Sequence, residues 1–296
     1  MQRIMLATDF SERSDRALRR AVLLARAHGA VLDLVHVVDD DRPRRIVDHE
    51  AVDARTLMRE LSQSLRAADG IDCEMEIVLA DPFSGIVQAA ENRKPDLLVI
   101  GPHRRQILKD AFLGTTAERV IRSVDCPVLM VNGPPVAPWR HILLTTDLSD
   151  GAKRALHRFA ALGLGQDARR SILHVFDVPA LRLAMSGSMP KDDRDSHLAD
   201  QQSEARRNLA RFMADLAFMQ AEPVVRYGAT TTVHEIHRAA EALNADLIVL
   251  ASHGKSGLAR MVLGSVTEKV LAASAVDVLA LPPTAPEADA PRQTQG

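Results

Sequence analysis

The sequence predicts an α/β protein of two domains, each a doubly wound, five-stranded parallel sheet with helices on both faces. Three observations carry that expectation. The chain contains two copies of one unit. Within each copy, short apolar runs alternate with segments whose apolar residues recur at helical spacing, the pattern of βα units. The run LLVI at 97–100 is apolar at every position, as a strand covered on both faces must be.

The repeat is read directly. TDFSERSDRAL at 8–18 matches TDLSDGAKRAL at 146–156, and LVHVVD at 34–39 matches ILHVFD at 172–177, both at an offset of 138. DLLVIG at 96–101 matches DLIVLA at 246–251 at an offset of 150, so the second copy carries 12 extra residues. The irregular stretch Leu181 to Asp195, rich in Gly, Pro, Ser and Asp, is the expected host and reads as a loop. The expected domains are 1–132 and 141–282, joined by a stiff Pro-rich linker at 133–140. A polar, Pro-rich tail at 283–296 reads as disordered.

Taken in order, copy one opens with the apolar run at 4–8. A helix follows, with Ala17, Leu18, Ala21, Val22, Leu24 and Ala25 on its inner face and its end near Gly29. Residues 31–38 are a strand, roughly 52–68 a polar helix, and 71–79 an alternating strand. Asp81 caps the next helix, with Pro82 in its first turn. After the strand at 97–100 come a helix at about 116–123 and a last strand at 127–131, matched by 277–281 in copy two. A ligand cleft is expected where the strands' carboxyl ends meet at the switch point.

Composition removes several function classes. Lys and Arg total 37 against 39 acidic residues, a net charge of -2, which argues against a nucleic-acid binder. Aromatic residues are 3%, too few for base-stacking platforms. No apolar run approaches the roughly 20 residues that span a bilayer, and the N-terminus reads as a strand rather than a signal segment. Two cysteines, Cys73 and Cys126, form no disulfide framework and read as packing residues. The expected compartment is the cytoplasm.

The chemistry is expected in the glycine stretches. GKS at 254–256 looks like the tail of a P-loop, but that motif needs a glycine at 249, where Val249 lies inside a strand. What remains is strand, HGKSG, a bridge, then Gly264 and Ser265 opening a helix. Glycine lets main-chain N–H groups approach a phosphate, and a helix N-terminus adds positive potential. A plainer reading stands beside this one. SVTE at 265–268 and TTAE at 115–118 both fit the capping box, so Ser265 and Thr115 would cap their helices, with Gly264 allowing a tight turn.

The pattern resembles the universal stress protein family, whose nucleotide motif is G-x-x-G, nine residues, then G-[S/T]. Copy two offers ASHG at 251–254, nine residues, then Gly264-Ser265; copy one offers GPHR at 101–104, nine residues, then Gly114-Thr115. The TDFSE and TDLSD stretches and CPVLMV at 126–131 are similar to further blocks of the family, in its tandem subgroup. The resemblance implies a Rossmann-like (HUP-type) sheet of order 3-2-1-4-5. It implies last strands paired across a two-fold axis, here within one chain as a pseudo-dimer, with further homodimerisation open. It implies that some members bind ATP and others do not, and ATP, with or without magnesium, is the expected cofactor.

Carried over, Asp147 and Val175 line the adenosine end, and Leu250, Ala251, His253 and Gly254 wrap the ribose and phosphates. Gly264, Ser265, Val266 and Thr267 hold the phosphate tail. The matching positions of copy one are Asp9, Val37, Ile100, Gly101, His103, Arg104, Gly114, Thr115, Thr116 and Ala117. Ala251 is a small intrusion, tolerable at negative φ. Arg104 replaces the second glycine and puts a long side chain in the cradle. The expectation is that copy two binds nucleotide and copy one is degenerate.

Other groups have plain readings. His234, His237 and Glu241 share a helical face, suited to a metal or simply solvated. His36 and His174 recur at strand ends, which suggests one buried hydrogen bond made twice. Asp192 to Asp195 and His197 read as a charged loop. The expected function is an ATP-binding stress-response regulator. A slow ATPase or phosphotransferase and a ligand-free scaffold are the alternatives, and no catalytic or metal residue is assigned.

Overall fold

The computed structural model describes residues 1–102, 116–178, 191–252 and 263–282. Copy one consists of β1 (Arg3–Ala7), α1 (Glu12–His28), β2 (Val31–Val38), α2 (Arg44–Asp69), β3 (Cys73–Leu79), α3 (Pro82–Arg93), β4 (Leu97–Ile100), α4 (Thr116–Ser123) and β5 (Val128–Met130). Copy two repeats it as β6 (His141–Thr146), α5 (Asp150–Leu162), β7 (Arg169–Phe176), α6 (Lys191–Ala214), β8 (Glu222–Tyr227), α7 (Thr232–Leu243), β9 (Leu247–Ala251), α8 (Ser265–Ala273) and β10 (Asp277–Leu281).

Each copy has the order 3-2-1-4-5, and the two join edge to edge into one ten-stranded sheet, β3-β2-β1-β4-β5-β10-β9-β6-β7-β8. All neighbours are parallel except β5 and β10, which pair antiparallel through Val128, Leu129 and Met130 against Ala280, Leu279 and Val278. Two cores run the length of this sheet. One lies under α1, α2, α5 and α6 and contains Ile4, Leu34, Leu129, Leu144 and Leu279. The other lies under α3, α4, α7 and α8 and contains Met5, Leu98, Met130, Leu143 and Val278. The alternation along β5 and β10 therefore feeds both faces across the join, which covers two strand edges that would otherwise be open.

Local chemistry sets the element ends. Asp81 accepts from Ser84 N at the start of α3, with Pro82 in the first turn as expected. The aspartates that precede the fourth strands have one shared role. Asp96 accepts from Gln2 N and Arg3 N, and Asp246 from Arg140 N and His141 N, so each anchors the first strand of its copy.

Three expectations change. Helix α2 begins at Arg44, well before 52, because Val47, Ala51, Ala54, Met58 and Leu65 form one buried stripe at steps of four, three, four and seven residues. Residues 192–195 and His197 are not a loop but part of α6, whose first turn carries Asp192 and Asp193, favourable at a helix N-terminus. The rest of that expected loop, 181–190, lies outside the described residues, as does the tail at 283–296. The extra residues of copy two are also split. The offset is 148 at β3 against β8 (Glu74 and Glu222, register partners of Asp33 and Ser171) and reaches 150 only at the helix caps Asp81 and Thr231.

The linker is docked rather than free. Asp277, 1% exposed, accepts from Arg20 Nε at 3.0 Å, Trp139 Nε1 at 2.9 Å, Asn132 N at 3.0 Å and Gly133 N at 3.1 Å. Arg20 also donates to Ala137 O and stacks on the Trp139 ring. Helix α1 of copy one, the linker and β10 of copy two thus share one buried carboxylate. Among the described residues no helix is long and apolar enough to cross a membrane.

Candidate functional site

In each copy the first strand ends in the same loop. Asp9 Oδ1 accepts from Ser11 N at 3.0 Å and from the Ser11 hydroxyl, while Asp147 Oδ1 accepts from Ser149 N and its hydroxyl in the same way. The threonine hydroxyls of Thr8 and Thr146 accept from Phe10 N and Leu148 N. This web holds Phe10 at φ 57 and Leu148 at φ 64, left-handed conformations that bulky residues rarely adopt. The same outlier at the carboxyl end of the first strand in both copies marks these loops as held in a defined shape. It was not foreseen, although the Thr-Asp-x-Ser spacing is the signature of such an Asx turn.

His36 Nδ1 meets Thr8 O at 2.8 Å and His174 Nδ1 meets Thr146 O at 3.1 Å, so the repeated histidines each tie the second strand to the end of the first. This is the shared hydrogen bond expected from their recurrence. In copy one the Phe10 ring lies 4.5 Å from the His36 ring. Burial lowers the His36 pKa, against the opposing pull of the Thr8 carbonyl.

In copy two the ends of β9 and α8 are laced together. Gly264 N donates to Ser252 O at 2.8 Å, and Ser252 N donates to Leu281 O at 2.8 Å. Thr267, 4% exposed, donates its hydroxyl to Ala251 O at 3.0 Å. The capping-box expectation fails here. Gly264 is the N-cap at φ −59, no side chain among the described residues caps the helix, and Ser265 is its first residue with an exposed side chain. A serine inside the first turn cannot curl back on N–H groups that follow it as a cap does, so Ser265 leaves those groups to other partners. Gly264 also has no need of the left-handed conformations that favour glycine. Ala251 is not among the residues with positive φ, so its methyl is accommodated.

In copy one the cleft is a cavity of about 380 Å³ at the carboxyl ends of β1 and β4, bounded by α1, α3 and α4. Asp9, Val37, Ile100, Gly101, Thr116 and Ala117 all line it, so the structure brings these six first-copy candidates together. A Cβ on Gly101 would lie 3.0 Å from Arg13 O, so glycine is needed there for close passage of β4 against α1. Arg13 also lines the cavity, with its Nη2 4.0 Å from Asp9 Oδ2. Burial would raise the Asp9 pKa, but hydrogen bonds from Ser11 and the charge of Arg13 leave it below the ordinary aspartate value.

His103, Arg104, Gly114, Thr115, His253 and Gly254 lie outside the described residues. Glu235 was missed. It is buried, bonds Arg226 at 3.5 Å, and stands where copy one has Gly85, which backs onto Val37 at the same end of the cleft. No group of three or more His, Cys, Asp or Glu placed to hold a metal occurs among the described residues.

A sequence model of the universal stress protein family matches residues 1–132 and 138–282. A universal stress protein of Thermus aquaticus is 33% identical over 132 residues, 43% of this chain and 96% of its own. One of Mycobacterium bovis is 24% identical over 297 residues, 93% of this chain and 95% of its own. The solved structure of a universal stress protein from Archaeoglobus fulgidus covers 95% of this chain and 98% of its own at a TM-score of 0.66 and 22% identity, a likeness of fold.

Proposed function

Because this chain belongs to the universal stress protein family, we propose that it is an ATP-binding, cytoplasmic regulatory module of the stress response, with the nucleotide held mainly by its second copy. The observation that carries this reading is the start of α8. Among the described residues no side chain caps its first N–H groups, and Thr267 fastens that turn to the last carbonyl of β9. Such a helix start offers donors and positive potential to an anion without reorganisation.

The residues present suit a nucleotide. Gly264, Ser265, Val266 and Thr267 would hold the phosphates; Leu250, Ala251, His253 and Gly254 would wrap the ribose and phosphates; Asp147 and Val175 would line the nucleoside end. The nucleotide supplies a ligand whose binding biases the fold or the assembly, which requires different affinities for two states. The enzyme alternative finds less support. Asp147 Oδ1 is engaged by Ser149 in the loop, a structural task.

The test is titration of the full chain with labelled ATP. Ser265→Glu places a negative charge in the first turn, which favours the helix but repels phosphate. The expected result is an affinity about tenfold lower or worse, with no loss of thermal stability. Unchanged affinity would remove α8 from the site. Phosphate release measured over hours on the same samples separates a binder from a slow ATPase.

A further inference from the structure

We propose that β3, the outer strand of copy one, is a dimerisation edge. It pairs antiparallel with β3 of a second chain across a two-fold axis, joining two ten-stranded sheets into one.

The sheet ends in β3 on one side and β8 on the other. An outer strand turns the N–H and C=O of every second residue away from its sheet. Ala80 N donates to Val38 O at 3.1 Å and Gly228 N to Phe176 O at 2.8 Å, and the registers run on without a break, so alternation fixes which residues face outward. In copy one they are Met75, Ile77 and Leu79; in copy two they are Pro223, Val225 and Tyr227. The second row is spoiled for pairing. Pro223 has no N–H to give, and Tyr227 O already accepts from Ala229 N at 2.9 Å. The first row carries a donor at each position. With one end of the sheet blocked, chains cannot add head to tail, and the closed arrangement is β3 against β3.

The strand is also self-complementary. An axis at Ile77 sets it opposite the partner's Ile77 and sets Met75 opposite the partner's Leu79, and each facing pair exchanges both main-chain hydrogen bonds. These side chains lie on the α2 face, where Ile77 packs against Val47 and Ala51. Met75 is 43% exposed and Leu79 47%, and the pairing covers both. Helix α2, on the same face, leaves Ile46, Val52 and Leu57 exposed beside them. The other face decides the register. Glu74 and Glu76 lie there, both held by Arg93 of α3. With the axis at Ile77, Glu76 faces the partner's Val78 and Glu74 faces the partner's Ala80. One step toward Cys73 would set Glu76 on the partner's Glu76, and like charges directly opposite destabilise a strand pair. The join of β5 and β10 is an antiparallel edge pairing of this kind, already made within the chain.

Sedimentation velocity of the full chain over a range of concentrations, with hydrogen exchange on the same samples, tests this. The expected result is a reversible dimer of twice the 32.3 kDa chain mass, with exchange at Met75, Ile77 and Leu79 slowing as concentration rises. Met75→Pro copies Pro223 and removes an outward N–H, so the β2–β3 ladder stays intact. It should weaken the dimer at least about tenfold. Leu79→Lys, which sets a charge among apolar side chains, should do the same. Adding Met75→Glu to Leu79→Lys should restore the dimer, because the new glutamate then faces the new lysine of the other chain. Dimers that persist unchanged in both single variants overturn the proposal. So does a chain that stays monomeric at every concentration, which leaves the edge to a strand of another protein. Dimers lost in the single variants and not regained in the double one overturn the axis at Ile77.

Discussion

The two clefts share a backbone plan but differ in how their walls are held. In copy two the start of α8 is tied to β9 by the Thr267 hydroxyl, and Gly264 closes onto Ser252. In copy one Ala117 occupies the position of Thr267 and can make no such tie. Copy one instead brings β4 against α1 through Gly101 and sets Arg13 beside Asp9, where copy two has Ala251 and Gly151. A repeated sheet therefore repeats the cleft, while a few positions around it decide how its walls are held.

The copies also differ in how each grips the other. Arg20 and Arg158 are equivalent by position, yet Arg20 meets a buried carboxylate, whereas Arg158 meets the backbone carbonyls of Asp125 and Pro282. Asp277 has Pro127 as its counterpart, so the ion pair is made once. Asp277→Ala strands the buried Arg20 charge and should cost about 3–5 kcal/mol, read by denaturant unfolding through the fluorescence of Trp139. Arg158→Ala removes hydrogen bonds to neutral acceptors and should cost less, about 1–3 kcal/mol. Equal losses would mean that the two joins are equivalent after all.

Thr267→Val should cost about 1 kcal/mol and speed hydrogen exchange in the first turn of α8. Ala117→Thr asks whether the same tie can be built in copy one, with slower exchange at the start of α4 as the sign of success. The smallest effect is a pH dependence. His36 has a folded-state pKa lowered by burial, so as pH falls below the ordinary 6.5 the unfolded chain takes up the proton first. The stability linked to His36 is complete above that value and declines as pH drops toward the folded pKa. His36→Gln should flatten the slope of melting temperature against pH below 6.5.

Much of this was legible in the residues. The repeat gave the βα order, and apolar runs such as 97–100 marked buried strands. Helix α2 was read short because its charged residues hid a regular stripe from Val47 to Leu65. The capping box was misread at Ser265 because spacing cannot say which residue is the first helical one; chain direction into α8 decides that. The Thr-Asp-x-Ser spacing signals the turns at Phe10 and Leu148, but it does not say that the residue between is held at positive φ.

By itself the sequence determined the two-copy α/β plan and the strand ends where chemistry could gather, because hydrophobic period and turn residues act locally. Only the tertiary structure decided that Asp277 of the last strand would neutralise Arg20 of the first helix, that Ala117 and Thr267 would differ in anchoring, and that Arg13 would face the first-copy cavity. Those outcomes depend on distances between residues far apart in the chain, and such distances exist only after the sheet has closed its cores on both faces.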